Sequence, residues 1–264
     1  MNPRLLSLLQ IIFFAGTIAV NALANALPIN GLNTGEVSAL YPNLFVPAGF
    51  TFSIWGIIYL LLLIYIIVST MILVKQEKED SAYMHVSAIA PLFVVSCILN
   101  AAWIFAWHHL QTVLSLIIML WLLRTLIGIY LKMQKTRASI TGVYFLSLYI
   151  PFVVYLAWIC VATIANSTAL LVNIQWTAFG IQEWIWSCAM IIVAFLLSAG
   201  FAFWRGELSF ALVISWACFG IYKGQFAANE TVANTAFSAV ILSLIFGIWG
   251  FVRWSRKTPL EGII

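Results

Sequence analysis

Few side chains in this sequence could carry chemistry, and those that stand out are indoles, amides and phenols set inside long apolar runs. Trp55, Trp103 and Trp158 lie well within their runs rather than at the ends. At 1.5 Å of rise per helical residue they sit about 10, 7 and 10 Å in from the same side of the apolar layer. Asn100 precedes Trp103 by three residues, and Tyr155 precedes Trp158 by three, so an amide and a phenol share the helical faces of two of these indoles. Such groups at one depth suit a cavity for a flat, mostly apolar molecule, because each ring offers an apolar face and a polar edge. Asn100 taken alone has a second reading. A buried amide in lipid is costly unless paired, so it joins two helices or touches a ligand. Asn21 and Asn25, four apart, are expected to bond to neighbouring helices, with lining of the same cavity as the alternative.

Other chemistries find little support. Cys97, Cys160, Cys188 and Cys218 fall in apolar runs with no C-x-x-C spacing, and read as small buried apolar residues. His108 and His109 could hold a metal, but a polar turn at the end of a run is the simpler reading, and no metal site is expected. A glycine-rich phosphate loop, a nucleophile elbow and a carboxylate pair within the runs are all missing, which argues against ATP-driven or phosphate-transfer activity. The net charge of +4 reads as membrane anchoring rather than a nucleic-acid patch. Glu183 and Lys223 read as anchors near run ends; the alternative is that Lys223 pairs with Glu183, Glu230 or an anionic ligand group such as a porphyrin propionate. Leu126, Tyr130 and Lys132 satisfy a loose sterol-recognition pattern that arises wherever a helix ends in Tyr and Lys anchors, and Arg124 is expected to snorkel to headgroups.

The elements that must position these groups are membrane helices. Only 8% of residues are charged and 64% are hydrophobic, and the charges fall between the apolar runs. A span needs about 20 mostly apolar residues. Eight such segments are predicted: Leu5 to Leu27, Ala48 to Val74, Met84 to Trp107, Leu110 to Leu131, Ile140 to Ala165, Trp184 to Trp204, Leu208 to Ala227 and Thr231 to Trp254. All should be helical, since a barrel would show short alternating strands, so the fold class is an all-α polytopic bundle. Placing both termini in the cytoplasm puts Arg4, Lys75, Lys78, Lys132, Lys135, Arg137, Arg205, Arg253, Arg256 and Lys257 on the inner side, ten of the 12 basic residues. The expected location is the cell (inner) membrane. The first run, with Ala22-Leu-Ala24-Asn-Ala26 behind it, also resembles a secretory signal peptide, but its length favours a retained span. Trp107, Trp176, Trp184 and Trp186 are expected in the outer interfacial belt, and Trp204, Trp249 and Trp254 near the inner one. The connection from Pro28 to Val46 is long enough to act as a lid over the outer mouth of a cavity.

At these residues the chain resembles the TspO/translocator-protein family of tryptophan-rich sensory proteins, which share a five-helix membrane fold. Pro47-Ala-Gly-Phe-Thr-Phe-Ser-Ile-Trp55-Gly-Ile-Ile-Tyr59 is similar to the family's proline-led second span with W-x-x-x-[LY]. Leu99-Asn100-Ala-Ala-Trp103 is similar to its N-x-x-W, and Tyr155-Leu-Ala-Trp158-Ile-Cys-Val-Ala162-Thr163-Ile-Ala-Asn166 to its Y-L-x-W-x-x-x-A-T-x-x-N. The resemblance covers about the first 170 residues. It divides the chain into a five-helix bundle over 1–173 and a three-helix membrane extension over 174–264. It also implies a pocket for porphyrins, sterols or other flat lipophiles, lined by Trp55, Asn100, Trp103, Tyr155, Trp158 and Asn166. The functional expectation is a membrane receptor, sensor or transport-assisting protein needing no cofactor, with haem or protoporphyrin as a tetrapyrrole ligand. A secondary transporter and a tryptophan-assisted porphyrin-degrading enzyme are the alternatives. Partners would be membrane lipid and a small hydrophobic ligand, with no nucleic acid. A homo-oligomer stays open, since the last three helices could occupy the face that five-helix relatives use for dimer contacts. The chain has Val46, Phe52, Phe105 and Val154 where the family usually has proline, which changes the kinks and hence the pocket shape.

Overall fold

The computed structural model describes residues 2–27, 29–77 and 79–257. Pro28 and Lys78, invoked above for the lid and the basic side, lie outside the described residues. Helices are α1 (Pro3–Ala26), α2 (Thr34–Ala39), α3 (Ile54–Lys75), α4 (Ser81–His108), α5 (Thr112–Thr136), the single turn α6 (Gly142–Tyr144), α7 (Ile150–Asn173), α8 (Glu183–Arg205), α9 (Leu208–Gln225) and α10 (Glu230–Lys257). No strand occurs among the described residues. Every predicted span is therefore a helix in an all-α bundle. Seven helical segments among the described residues are long and apolar enough to cross a membrane. The eighth expected span, α9, is the shortest of the set at 18 residues and carries Lys223 and Gln225 in its last turn.

Local chemistry sets several boundaries. Asn2 caps α1 by accepting the Arg4 N–H at 2.9 Å, with Pro3 at the first helical position, where its missing N–H costs nothing. Gly206 ends α8 at φ +66°, a left-handed conformation that glycine adopts freely, and a side chain there would strike Trp254. Before α7 the chain makes a π-helical turn over Phe145–Tyr149, and Pro151 follows in the first turn of α7. Because Pro151 has no N–H to give that turn, an upstream carbonyl of the π-helical segment loses an ordinary helical bond there.

Helix α7 is the hub of the bundle. Of its most apolar 18-residue window 72% is buried, against 28–44% for the other spans, and it packs on α3, α5 and α9. Around it α1 packs on α4 and α3, α5 on α4, and α8, α9 and α10 on one another. The loops at one end of the bundle, here the loop end, join α1 to α3, α4 to α5, α7 to α8 and α9 to α10. The other, basic end holds the opposite termini.

Candidate functional site

Trp55 enters the bundle from the first turn of α3, Trp103 from α4 and Trp158 from α7. Their rings converge rather than pointing into lipid. The Trp55 ring centroid lies 6.2 Å from that of Trp103, 6.2 Å from Trp158 and 6.1 Å from Tyr155, and it stacks on Tyr59 at 5.5 Å. Phe52, on the 3₁₀ turn leading into α3 and at a position where the family resemblance expects proline, meets Trp158 edge-on at 6.4 Å. Aromatic pairs in such geometry contribute about 0.5–1.5 kcal/mol each beyond area burial.

These rings border two adjacent spaces. One is a cavity of about 50 Å³ lined by Trp55, Trp103, Trp107, Trp158, Asn166 and mostly apolar neighbours. The other is an open groove of about 830 Å³ between α1 and α3, whose walls include Asn21, Asn25, Glu36, Trp55, Gly56 and Tyr59. Thr34, Pro47, Phe52 and Trp55 border both, so a thin wall of two rings, a proline and a threonine separates cavity from groove.

Four of the six expected site residues, Trp55, Trp103, Trp158 and Asn166, line the cavity. Asn100 and Tyr155 do not. They stand behind it in a chain of hydrogen bonds: Asn21 Nδ2 donates to Asn100 Oδ1 at 2.8 Å, and Asn100 Nδ2 donates to the Tyr155 hydroxyl at 2.9 Å. The Asn100 amide thus joins α1, α4 and α7, which is the helix-to-helix reading of that residue. Asn25 corrects another expectation, since it bonds to Asn21 O on its own helix and lines the groove. Asn166 faces the cavity while its Nδ2 donates to Ser115 Oγ on α5 at 3.0 Å.

By contrast, among the described residues the buried Nε1–H groups of Trp103 and Trp158 have no hydrogen-bond partner, nor does the buried Tyr59 hydroxyl. A buried donor left unpaired costs about 1–3 kcal/mol. Two such donors on the cavity rings are an arrangement that a ligand acceptor would relieve.

Trp107 overturns its assignment to the interfacial belt. It is buried, stacks on Trp103 at 5.9 Å and lines the cavity, while its Nε1 donates to Thr34 O at 3.3 Å. The signal was present in the sequence: Trp107 follows Trp103 by four residues, one turn along the same face. His108 is tied into the fold beside it. Its Nδ1–H donates to Ile29 O at 3.3 Å and its Nε2 meets the Thr34 hydroxyl at 3.1 Å, so it pins the connection between α1 and α3. Within that connection α2 is closed by a capping box, Asn33 Oδ1 accepting from Gly35 and Glu36 N–H while Glu36 accepts the Asn33 N–H at 2.7 Å. Tyr41, Phe45 and Val37 bury themselves beneath it.

A family model described as TSPO-like protein matches residues 7–249. The chain belongs to that family. The TSPO-like match runs through α8 and α9 into α10, so the last three helices lie within what the family model describes, beyond the first 170 residues that carry the motif resemblance. With it, the apolar helices make this an integral membrane protein. No curated protein and no solved structure matches.

Lys223 makes no ion pair among the described residues; its ammonium lies 5.6 Å from the Phe219 and Tyr222 rings, while Glu183 accepts the Leu44 N–H at 2.8 Å. The sterol pattern is not presented to lipid, because Leu126 and Tyr130 are buried. Tyr130 instead donates to Glu207 at 2.9 Å, as does Tyr149, and Arg137 pairs with the same carboxylate at 3.1 Å. Nothing in the sequence reading singled out Glu207, a buried carboxylate at the basic end that only the meeting of α5, α7 and α9 reveals.

Proposed function

We propose that this protein is a membrane receptor for a flat lipophilic ligand, which lies in the groove between α1 and α3 and presents one edge to the tryptophan cavity. The observation that carries this reading is the convergence of Trp55, Trp103 and Trp158 on a cavity where two indole N–H groups lack acceptors among the described residues. Size assigns the parts. Ligand sites for molecules of this class take about 300–1,000 Å³. The 830 Å³ groove meets that requirement, and the 50 Å³ cavity admits only a substituent or a ring edge until Phe52 and Trp55 turn aside.

The fit to a tetrapyrrole is specific in two respects. Among the described residues the groove walls contain no His, Cys or Met that would ligate a haem iron, and the Tyr59 hydroxyl is buried with its ring stacked on Trp55, so binding would come from ring faces and amides. Glu36 stands on the groove and no basic residue among the described ones faces it there, which disfavours carboxylates on the ligand. Metal-free protoporphyrin IX should therefore bind about as well as haem, and its dimethyl ester better than the free acid. Sensing or assisted transport of such a molecule in the cell membrane, with both termini in the cytoplasm as the ten basic residues favour, completes the reading.

Quenching of tryptophan fluorescence by protoporphyrin IX in detergent tests it. Saturable quenching is expected, with the dissociation constant raised about tenfold, or 1.4 kcal/mol, when Trp55 and Trp158 are both replaced by Phe. Linear, unsaturable quenching that the double variant leaves unchanged would remove the receptor reading.

A further inference from the structure

Helix α9 closes the cavity from the side of the last three helices. Ala217 and Ile221, four apart and both buried, are part of its lining. Between them Gly220 lies so close to Thr51 that a Cβ would overlap the threonine side chain, and one turn on, a Cβ at Gly224 would come within 3.0 Å of Ala48 N and Val46 O. Small residues at 217, 220 and 224 let the helix lie against the backbone of residues 46–51, as close helix packing in membranes requires. Polar contacts fix that approach. Ala48 N donates to Gly220 O at 2.9 Å, Trp216 Nε1 to Thr51 O at 3.0 Å and Gln225 Nε2 to Val46 O at 3.1 Å. The segment so held carries Pro47, Thr51 and Phe52, which also face the cavity.

From this packing we infer that α9 is the specificity-determining wall of the ligand site: Ala217 and Ile221 set how large a ring edge or substituent the cavity accepts. The inference rests on the receptor reading above. Its physical basis is that the cavity is small, so a change of a few carbon atoms on its wall is large compared with the space. The α9 backbone cannot retreat to compensate, because three hydrogen bonds and the Gly220 contact tie it to the segment opposite. Adding a phenyl ring at 217 fills the cavity. Removing three carbons at 221 enlarges it. A change of equal size on the lipid face of the same helix, at the exposed Leu212, alters neither.

The full-length protein in detergent, titrated with metal-free protoporphyrin IX and followed by tryptophan quenching, separates the outcomes. Ala217→Phe should raise the dissociation constant about tenfold, Ile221→Ala should lower it about threefold, and Leu212→Phe should leave it within about twofold. Should Ala217→Phe fail to fold, Ala217→Val gives a smaller shift of the same sign. An unchanged constant in the Ala217 variants, with saturable wild-type binding, overturns the role of α9 and leaves the receptor reading standing. Weaker binding in both the Ala217 and Ile221 variants, together with lowered melting temperatures, ascribes the effect to packing and also overturns it. Unsaturable quenching in the wild type removes the receptor reading itself.

Discussion

Among single residues, the aromatic cluster separates into groups that hold the fold and groups held ready. Asn100 spends both ends of its amide on Asn21 and Tyr155, so replacing it by Leu takes that partner from the buried Tyr155 hydroxyl and leaves Asn21 Nδ2 with Thr17 O alone, at a cost of about 1–3 kcal/mol. Trp158 has an unpartnered Nε1–H, so Trp158→Phe gives up no hydrogen bond in the free protein. The two substitutions should therefore have opposite signatures. Asn100→Leu lowers the melting temperature in detergent with little change in protoporphyrin affinity per folded molecule, whereas Trp158→Phe weakens binding with little change in melting temperature. Equal effects on both measurements would mean that the partition between support and contact is wrong. Sequence spacing could find the residues but not this division. The three-residue steps Asn100 to Trp103 and Tyr155 to Trp158 show which groups share a face, while the partner of an amide is fixed by a helix about 80 residues away.

For the elements, the apolar runs themselves announce the spans, because hydrocarbon leaves the backbone no alternative to a helix. What they hide is how the ends are tied, since those ties join short polar stretches distant in sequence. The connection between α1 and α3 reads as a lid, yet His108 and Trp107 tether its first half and Glu183 and α9 its second. His108→Leu removes the first tether, and faster amide hydrogen exchange over residues 29–41 than in the wild type is the expected result. At the basic end, Glu207 links the ends of α5, α7 and α9 through Arg137, Tyr130 and Tyr149, and Arg137 also donates to Arg205 O at 2.8 Å and lies 4.9 Å from the Trp254 ring. Burial pushes the Glu207 carboxyl above its ordinary value of 4.5, and the Arg137 guanidinium and tyrosine hydroxyls pull it part of the way back. A carboxyl raised in this way holds its proton more tightly in the folded chain than in the unfolded one. The stability it contributes is thus whole below 4.5 and declines as pH climbs from there towards the folded value. Glu207→Gln, which cannot ionise, should flatten the fall of melting temperature with rising pH above 4.5, and an unaltered slope would exclude Glu207 as its source.

For the molecule as a whole, the groove and the cavity imply a route. The groove is open between two spanning helices, α1 and α3, and its deep wall is the Phe52 and Trp55 pair that separates it from the cavity. On the receptor reading, a ligand dissolved in the bilayer would reach it sideways between these helices, without crossing the tethered loop. Gly56 tests the route directly. It lines the groove on α3, is exposed, and a Cβ built on it meets nothing within 4 Å, so a bulky side chain there occupies groove rather than core. Gly16 on α1 is equally exposed and equally open but borders neither space, which makes it a matched control in the bilayer. In proteoliposomes preloaded with protoporphyrin IX in the lipid phase, Gly56→Phe should slow the quenching rate about tenfold or more, while Gly16→Phe keeps the wild-type rate. Because helix propensity improves on leaving glycine, by up to about 0.5 kcal/mol for Phe, neither variant should lose stability, and equal melting temperatures in the two variants show that a slower rate does not come from unfolding. If Gly56→Phe instead binds at the wild-type rate and His108→Leu is the variant that binds faster, the ligand enters past the loop, and the groove is a recess in the lipid boundary rather than the door to the tryptophans.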